Sequence, residues 1–277
     1  ACTPLIAGQS VDESWDVDSD AMISVENIAG EIEITGWGKS QVHLTGELGD
    51  SVDELEVSAS DSRLRINVAN RNSRNIDNTI LRLMVPEGAS IDASAVSADI
   101  EVQKLDNDNL TASSVSGSVE VDIRSKRVSI ESVSGDVSFT GQTVRISAES
   151  VSGDIDLTGI SGEISATTVS GDMELQAGVI DSGKLETVSG DMTFFGELST
   201  NARLTAESMS GDVIINLPAD QSGTFRAESF SGRISTDFGS ADRAKHGPGT
   251  HLKYVSGSGG AEIRVESFSG NIKLKSN

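Results

Sequence analysis

A short punctuation recurs eight times after residue 114: an apolar residue, then Ser-Gly, then a polar residue. It constrains the fold more than anything else in the chain. The copies are Val115-Ser116-Gly117-Ser118, Val133-Ser134-Gly135-Asp136, Val151-Ser152-Gly153-Asp154, Val169-Ser170-Gly171-Asp172, Val188-Ser189-Gly190-Asp191, Met209-Ser210-Gly211-Asp212, Phe230-Ser231-Gly232-Arg233 and Phe268-Ser269-Gly270-Asn271. Their glycines step by 18, 18, 18, 19, 21, 21 and then 38 residues. A period near twenty describes a stacked array of one supersecondary unit. Residues 145–159 show the grammar of the unit. Ile146 and Ala148 alternate with polar residues, Val151-Ser152-Gly153-Asp154 interrupts, and Ile155 and Leu157 alternate again. That is strand, bend, strand, and Gly in the third place predicts a turn with positive φ there.

Two arms of about seven residues cannot bury an apolar face alone, so each copy must find burial against its neighbours. In register, like residues stack on like. Ile146, Ala166 and Leu185 fall near one rung position. Val137, Ile155, Met173, Met192, Val213, Ile234 and Ile272 make a second column, and Phe139, Leu157, Leu175, Phe194 and Ile215 a third. These columns predict an all-β chain, a parallel β-solenoid of roughly 18–21-residue coils. At about 4.8 Å per strand, some ten coils would make a rod about 50 Å long. Antiparallel hairpins in a meander or barrel also satisfy the alternation. Favoured two-residue hairpin loops carry Asn-Gly, Asp-Gly or Gly first, however, and here Gly follows Ser in every copy. A membrane-spanning barrel fits worse, because it needs strands of about 9–11 residues with aromatic girdles, and only 4% of this chain is aromatic.

The remaining segments divide the chain into a tether over 1–20, an irregular N-terminal cap over 21–90, and regular solenoid over 91–277 with an inserted loop at 239–253. Residues 25–34 are a degenerate copy of the unit, and Trp15 and Trp37 read as cap packing rather than as sugar-stacking platforms. The inserted loop accounts for the doubled step before Gly270. Forty-three acidic against twenty-one basic residues give a net charge of -22, which repels nucleic acid and anionic membrane. No apolar run is long enough to span a bilayer as a helix. The chain opens Ala1-Cys2-Thr3-Pro4, and a small residue before Cys is how a bacterial lipoprotein signal ends. Cys2 is therefore a candidate lipid anchor, with an ordinary cleavage site beside a lone thiol as the alternative. One cysteine excludes an intrachain disulfide framework and any multi-cysteine metal site.

The repeated Val-Ser-Gly-Asp-apolar unit, the opening Val-Glu-Asn-Ile-Ala-Gly-Glu-Ile-Glu-Ile-Thr-Gly-Trp (25–37) and the late run Gly-Gly-Ala-Glu-Ile-Arg-Val-Glu-Ser-Phe-Ser-Gly-Asn-Ile (259–272) resemble one bacterial family. These are the envelope proteins grouped as "putative adhesin" β-strand-repeat proteins, a family of unknown function. The resemblance runs from about residue 20 to the end. It implies a β-helical fold and a secreted or lipid-anchored bacterial protein, periplasmic or on the cell surface, and it brings no catalytic residues.

The candidate chemistry is therefore that of a surface. Asp136, Asp154, Asp172, Asp191 and Asp212 follow Gly in successive coils, and Glu131, Glu149, Glu186, Glu207 and Glu228 stand five residues ahead of their places. Stacked, they form an acidic ribbon. Like charges at one-rung spacing would raise carboxylate pKa values or recruit Ca²⁺ to the Asp column, unless Asp simply follows Gly as a good turn residue. His246 and His251 flank Gly247-Pro248-Gly249 in the inserted loop and mark a candidate partner loop. His43, between Val42 and Leu44, should face solvent. No Ser-His-Asp set, phosphate loop or His-Glu-x-x-His motif is present, so no cofactor other than Ca²⁺ is expected and no catalysis. The reading is a non-catalytic envelope scaffold that presents an acidic face to a protein or glycan partner. A Ca²⁺-binding module, an envelope-stress sensor and a polysaccharide-cleaving enzyme stand as rivals, with end-to-end self-association through open edges as a further candidate interaction.

Overall fold

Period-2 alternation of apolar and polar residues makes strands wherever it occurs, and the computed structural model is all β over the residues it describes, 10–50, 52, 54–69, 77–243 and 249–277. Cys2 and His246 lie outside them. The chain forms two units, Ala1–Gly141 and Gln142–Asn277. Among the described residues there is no helix long and apolar enough to cross a membrane.

The first unit holds strands β1 (Ser10–Asp16), β2 (Met22–Trp37), β3 (Gln41–Glu47), β4 (Glu54–Ser60), β5 (Arg63–Ala69), β6 (Thr79–Pro86), β7 (Ser90–Ser114) and β8 (Val119–Ser132). Parallel pairing runs from β2 to β7 and on to β8, with Ile32 opposite Ile100 and Ile100 opposite Val119. On its other side β2 takes β5 and then β6, both parallel. The segments between return antiparallel, with β4 on β5, β3 on β6 and β1 on β3. Residues 25–34 thus form a true rung. The atypical part of the opening consists of the antiparallel strands around it. Trp37 is braced there by its indole N–H, which donates to the Gln41 carbonyl at 2.7 Å, and Lys39 Nζ lies 4.3 Å over the ring. His43, between the buried Val42 and Leu44, bonds Asp12 at 2.8 Å.

Strand β9 (Val137–Ser150) carries the chain into the second unit. That unit contains β10 (Ile155–Ser170), β11 (Met173–Ser189), β12 (Met192–Ser210), β13 (Val213–Leu217), β14 (Gly223–Ser229), β15 (Ile234–Thr236), β16 (Asp242–Arg243), β17 (Thr250–Ser256), β18 (Ala261–Ser269) and β19 (Ile272–Ser276). The long strands β10 to β12 each comprise two arms joined at an irregular corner, where the register shifts. Their arms stack parallel and in register. Ile155, Met173, Met192 and Val213 form one column, and Leu157, Leu175, Phe194 and Ile215 another. All eight side chains are buried.

Chain order is not stack order at the far end of this unit. After β13 the chain skips a rung, and the C-terminal strands fill the vacant place. β18 pairs with β12 on one side and β14 on the other, and β19 pairs with both β13 and β15. The turn at 268–271 therefore lies between those at 209–212 and 230–233. Residues 250–253, which the sequence reading places in a loop, open strand β17, which covers β14 in antiparallel pairing. Phe225, Phe238 and Tyr254 cluster at this end, with the Phe225 and Phe238 rings stacked at 4.6 Å.

Glycine at the turns answers a different need from the expected one. Positive φ is recorded at Gly190 and Gly211 of the repeat glycines, both at 142°. What the turns share is proximity. A Cβ on Gly135 would strike the Gly117 carbonyl oxygen, one on Gly171 that of Gly153, and one on Gly211 that of Gly190. At these three positions only glycine lets one turn backbone sit directly on the next.

Candidate functional site

The Ser-Gly turns form an edge column in each unit, and four kinds of side chain line up along it. The aspartates are occupied by the backbone. Asp154 Oδ1 accepts the Asp172 N–H at 2.8 Å, Asp172 Oδ1 that of Asp191 at 2.7 Å, and Asp191 Oδ1 that of Asp212 at 2.8 Å. Asp212 Oδ1 accepts the Asn271 N–H at 2.8 Å, and Asn271 Oδ1 the Arg233 N–H at 3.2 Å. In the first unit Asp99 Oδ1 does the same for Ser118 at 2.8 Å. These residues make a hydrogen-bonded ladder between rungs, in which Asp99, Asp154, Asp172, Asp191 and Asp212 each secure the neighbouring turn. Among the described residues no group of three or more His, Cys, Asp or Glu side chains is placed to hold a metal ion.

The ladder also reverses the expected electrostatics at Asp212. The Asn271 backbone N–H, with help from Lys273 Nζ at 3.1 Å, holds its carboxyl below the usual aspartate range. A rise occurs elsewhere, at Glu31 in the first unit, where burial and then the neighbouring Glu33 push the carboxyl up.

A second column is made of hydroxyls three residues before each glycine. Ser114, Ser132, Ser150 and Ser229 accept the N–H of their own turn glycine at 2.9 Å. In three of the coils between them the glycine N–H turns instead to a neighbouring rung, from Gly171 to the Ser189 carbonyl, from Gly190 to the Ser210 carbonyl and from Gly211 to the Ser269 carbonyl. The hydroxyls of Thr187, Ser208 and Ser267, on three adjacent rungs, are left buried with no hydrogen-bond partner. Such orphans are uncommon, because leaving a buried hydroxyl unpaired costs about 1–3 kcal/mol.

The third and fourth columns face outward. The apolar residue that opens each turn is exposed in every copy, from Val115 to Phe268, with Met209 60% and Phe268 58% accessible. Phe230 and Phe268 stack at 4.9 Å, nearly parallel. Two residues earlier lies a row of glutamates, and register makes Glu186, Glu207, Glu266 and Glu228 direct neighbours in that order. Lys184 pairs with Glu186 at 2.7 Å and Arg264 with Glu266 at 2.7 Å. The hydrogen bond that Lys184 Nζ donates to Glu186 raises the Lys184 pKa. His251 sits opposite Glu228 at the end of the row.

In the second unit these columns enclose a groove of about 780 Å³, lined by the turn residues from Thr167 to Phe230, by Thr187, Ser208 and Ser267, by the four glutamates and by His251. Of the residues singled out from the sequence, Glu186, Glu207, Glu228 and His251 meet here, whereas the aspartates sit in the ladder beside it. The sequence reading missed the exposed apolar stripe, although the signal was visible as an apolar residue two places after each glutamate. It also missed Glu266, and a further copy of the turn, Val96-Ser97-Ala98-Asp99, which carries Ala where the others carry Gly.

Fold and edge together define a stacked β-repeat protein with a groove along the turns of its second unit. The chain belongs to the Toastrack DUF4097 family, whose model matches residues 15–201 and again 196–275; the function of that family is unknown. No curated protein is significantly similar to it. Among solved structures it is similar to a protein described as a "putative adhesin" from Parabacteroides distasonis, at 12% identity over 96% of this chain and 98% of that one, with a TM-score of 0.49. A "putative lipid binding protein" from the same organism is matched at 12% identity over 98% and 99%, TM-score 0.49. A "putative adhesin" from Bacteroides fragilis is matched at 15% identity over 96% and 97%, TM-score 0.41.

Proposed function

We propose that the protein is a non-catalytic binding scaffold of the bacterial envelope, working outside the cytoplasm and holding a protein or glycan partner along the turn groove of its second unit. On this reading each unit is a stretch of parallel β-solenoid with coils of 18–21 residues, and the antiparallel strands within 21–90 serve as its irregular cap. The observation that carries the proposal is the apolar stripe. Burying Val, Met and Phe is worth about 1.5–3 kcal/mol per side chain, yet every repeat leaves one in water, and a contiguous apolar strip beside polar residues marks an interaction surface. The placement outside the cytoplasm draws on the family resemblance of the repeats. Absence of catalysis is proposed because a repeat stacks carboxylates automatically, with no reactive set required.

The test compares the whole chain with a Met209→Ser/Phe268→Ser variant, which leaves the interior columns untouched. Capture of a partner from bacterial envelope fractions should fall in the variant while its melting curve stays that of the parent. Equal capture by both would overturn the reading, as would release of new reducing ends from anionic glycans by the parent.

A further inference from the structure

Granting that scaffold reading, the groove's own chemistry names its occupant: we propose that it takes a cationic amphipathic helix, lying along the stack and across the strands. Charge selects the sign. Glu186 and Glu266 are engaged by Lys184 and Arg264, whereas Glu207 and Glu228 form no salt bridge among the described residues. These two alternate with the paired ones, so they stand two rungs apart, about 9.6 Å. Two turns of α-helix span about 10.8 Å. Lysines or arginines two turns apart on one flank of a helix therefore meet both of these carboxylates at once.

Apolar spacing selects the helix. Val188, Met209, Phe268 and Phe230 follow one another at one per rung, about 4.8 Å, and positions i, i+3, i+4 and i+7 of a helix place an apolar side chain about every 5 Å along one face. A strand laid the same way would repeat at about 6.7 Å on one face and fall out of step. The hydroxyls of Thr187, Ser208 and Ser267 supply the third element. They lie under the groove's lining, at least nine-tenths buried and without partners, so their O–H dipoles are free to turn their negative ends toward an ammonium group seated among the carboxylates. A second copy of this chain is disfavoured by its net charge of -22, and a single metal ion finds no converging set of three ligands among the described residues.

The probe is a labelled Lys/Leu peptide of about 14 residues with helical periodicity, which matches the groove's length of about 19 Å. Its control is a peptide of identical composition with strict Lys-Leu alternation, the pattern of an amphipathic strand. Fluorescence anisotropy should show saturable binding of the helical peptide, with helix appearing by circular dichroism, and the alternating peptide should bind at least about tenfold more weakly. Glu207→Gln/Glu228→Gln should weaken the helical peptide about tenfold or more, whereas Glu120→Gln/Asp122→Asn, the same charge change in the first unit, should leave it unchanged. Equal binding of both peptides, or equal loss in both double variants, would reduce the effect to adsorption on an acidic protein and overturn the proposal. Preference for a neutral oligosaccharide that the helical peptide cannot displace would overturn it as well. If the peptide fails while Met209→Ser/Phe268→Ser still abolishes partner capture, the occupant is wrong and the scaffold stands. If that variant also captures normally, both readings fall.

Discussion

At Gly171 the demand for a missing side chain comes from the rung before it. A Cβ there would meet the Gly153 carbonyl oxygen, a backbone atom that cannot swing aside, so Gly171→Ala should lower stability by about 1–3 kcal/mol in urea titration, the usual range for overpacking. Gly190→Ala should cost more, because its φ of 142° adds backbone strain. Aspartate in the next position behaves opposite to the expectation from repulsion. Asp154→Ala removes the acceptor for the Asp172 N–H and should destabilise by about 1 kcal/mol, while Asp154→Asn keeps an acceptor oxygen and should lose less. A variant more stable than the parent would return the column to the status of a repulsive ribbon. At Asp212 the carboxyl is held below the usual range by the Asn271 N–H. Between the ordinary value of about 3.9 and the lowered one, the unfolded chain binds more protons than the folded chain. The stability from this clasp is therefore complete above about pH 4 and drains away as pH falls through the lowered value. Asp212→Asn should flatten that acid limb in urea midpoints measured against pH.

Among the elements, β18 and β19 have the most consequence for their length. Each is paired on both sides, β18 between β12 and β14, β19 between β13 and β15. In a stack that followed chain order, the last coil would have one free edge and its loss would uncover one face. Here removal of residues 261–277 opens a slot in the middle of the second unit and exposes four strand edges, together with the buried Leu204, Val213, Ile215 and Ala227. Truncation before Ala261 should therefore abolish the cooperative melting of the second unit and promote aggregation through the open edges, read by circular dichroism and light scattering. A truncated chain that melts cooperatively near the parent's temperature would show that β12 and β14 can close on each other. Alternation made these strands legible as strands, and the column of Val213, Ile234 and Ile272 was legible as a set. The order within that set was not, because identical rungs offer no sequence mark of which neighbour each will choose.

Across the whole molecule, forty-three acidic and twenty-one basic residues leave the chain repelling itself. Self-repulsion of this size lowers the stability of any compact state and is screened by salt. The melting temperature should rise as ionic strength increases from about 0.01 to 0.15 M, where the screening length shrinks from about 30 to 8 Å. The same experiment with Ca²⁺ at constant ionic strength separates screening from ligation. Since Asp172 and Asp191 already spend an oxygen on the neighbouring turn, calorimetric titration should show no saturable heat. Saturable binding that vanishes in Asp154→Asn/Asp172→Asn would make the column a cation site.

Repeat period, strand arms, buried columns and family were all determined by the sequence itself, because the side-chain alternation of a strand and the near-twenty step of a stack are local properties that each copy states again. The acidic columns followed for the same reason: a repeated residue in a parallel stack becomes a row. Only the tertiary structure decided which oxygen meets which N–H, why glycine is needed at a turn that mostly lacks positive φ, and that the C-terminal strands enter the stack between earlier ones. It also decided that Thr187, Ser208 and Ser267 lose the partner their counterparts keep. Each of these depends on the approach of two rungs far apart in sequence, and the spacing of residues along one strand carries no record of that approach.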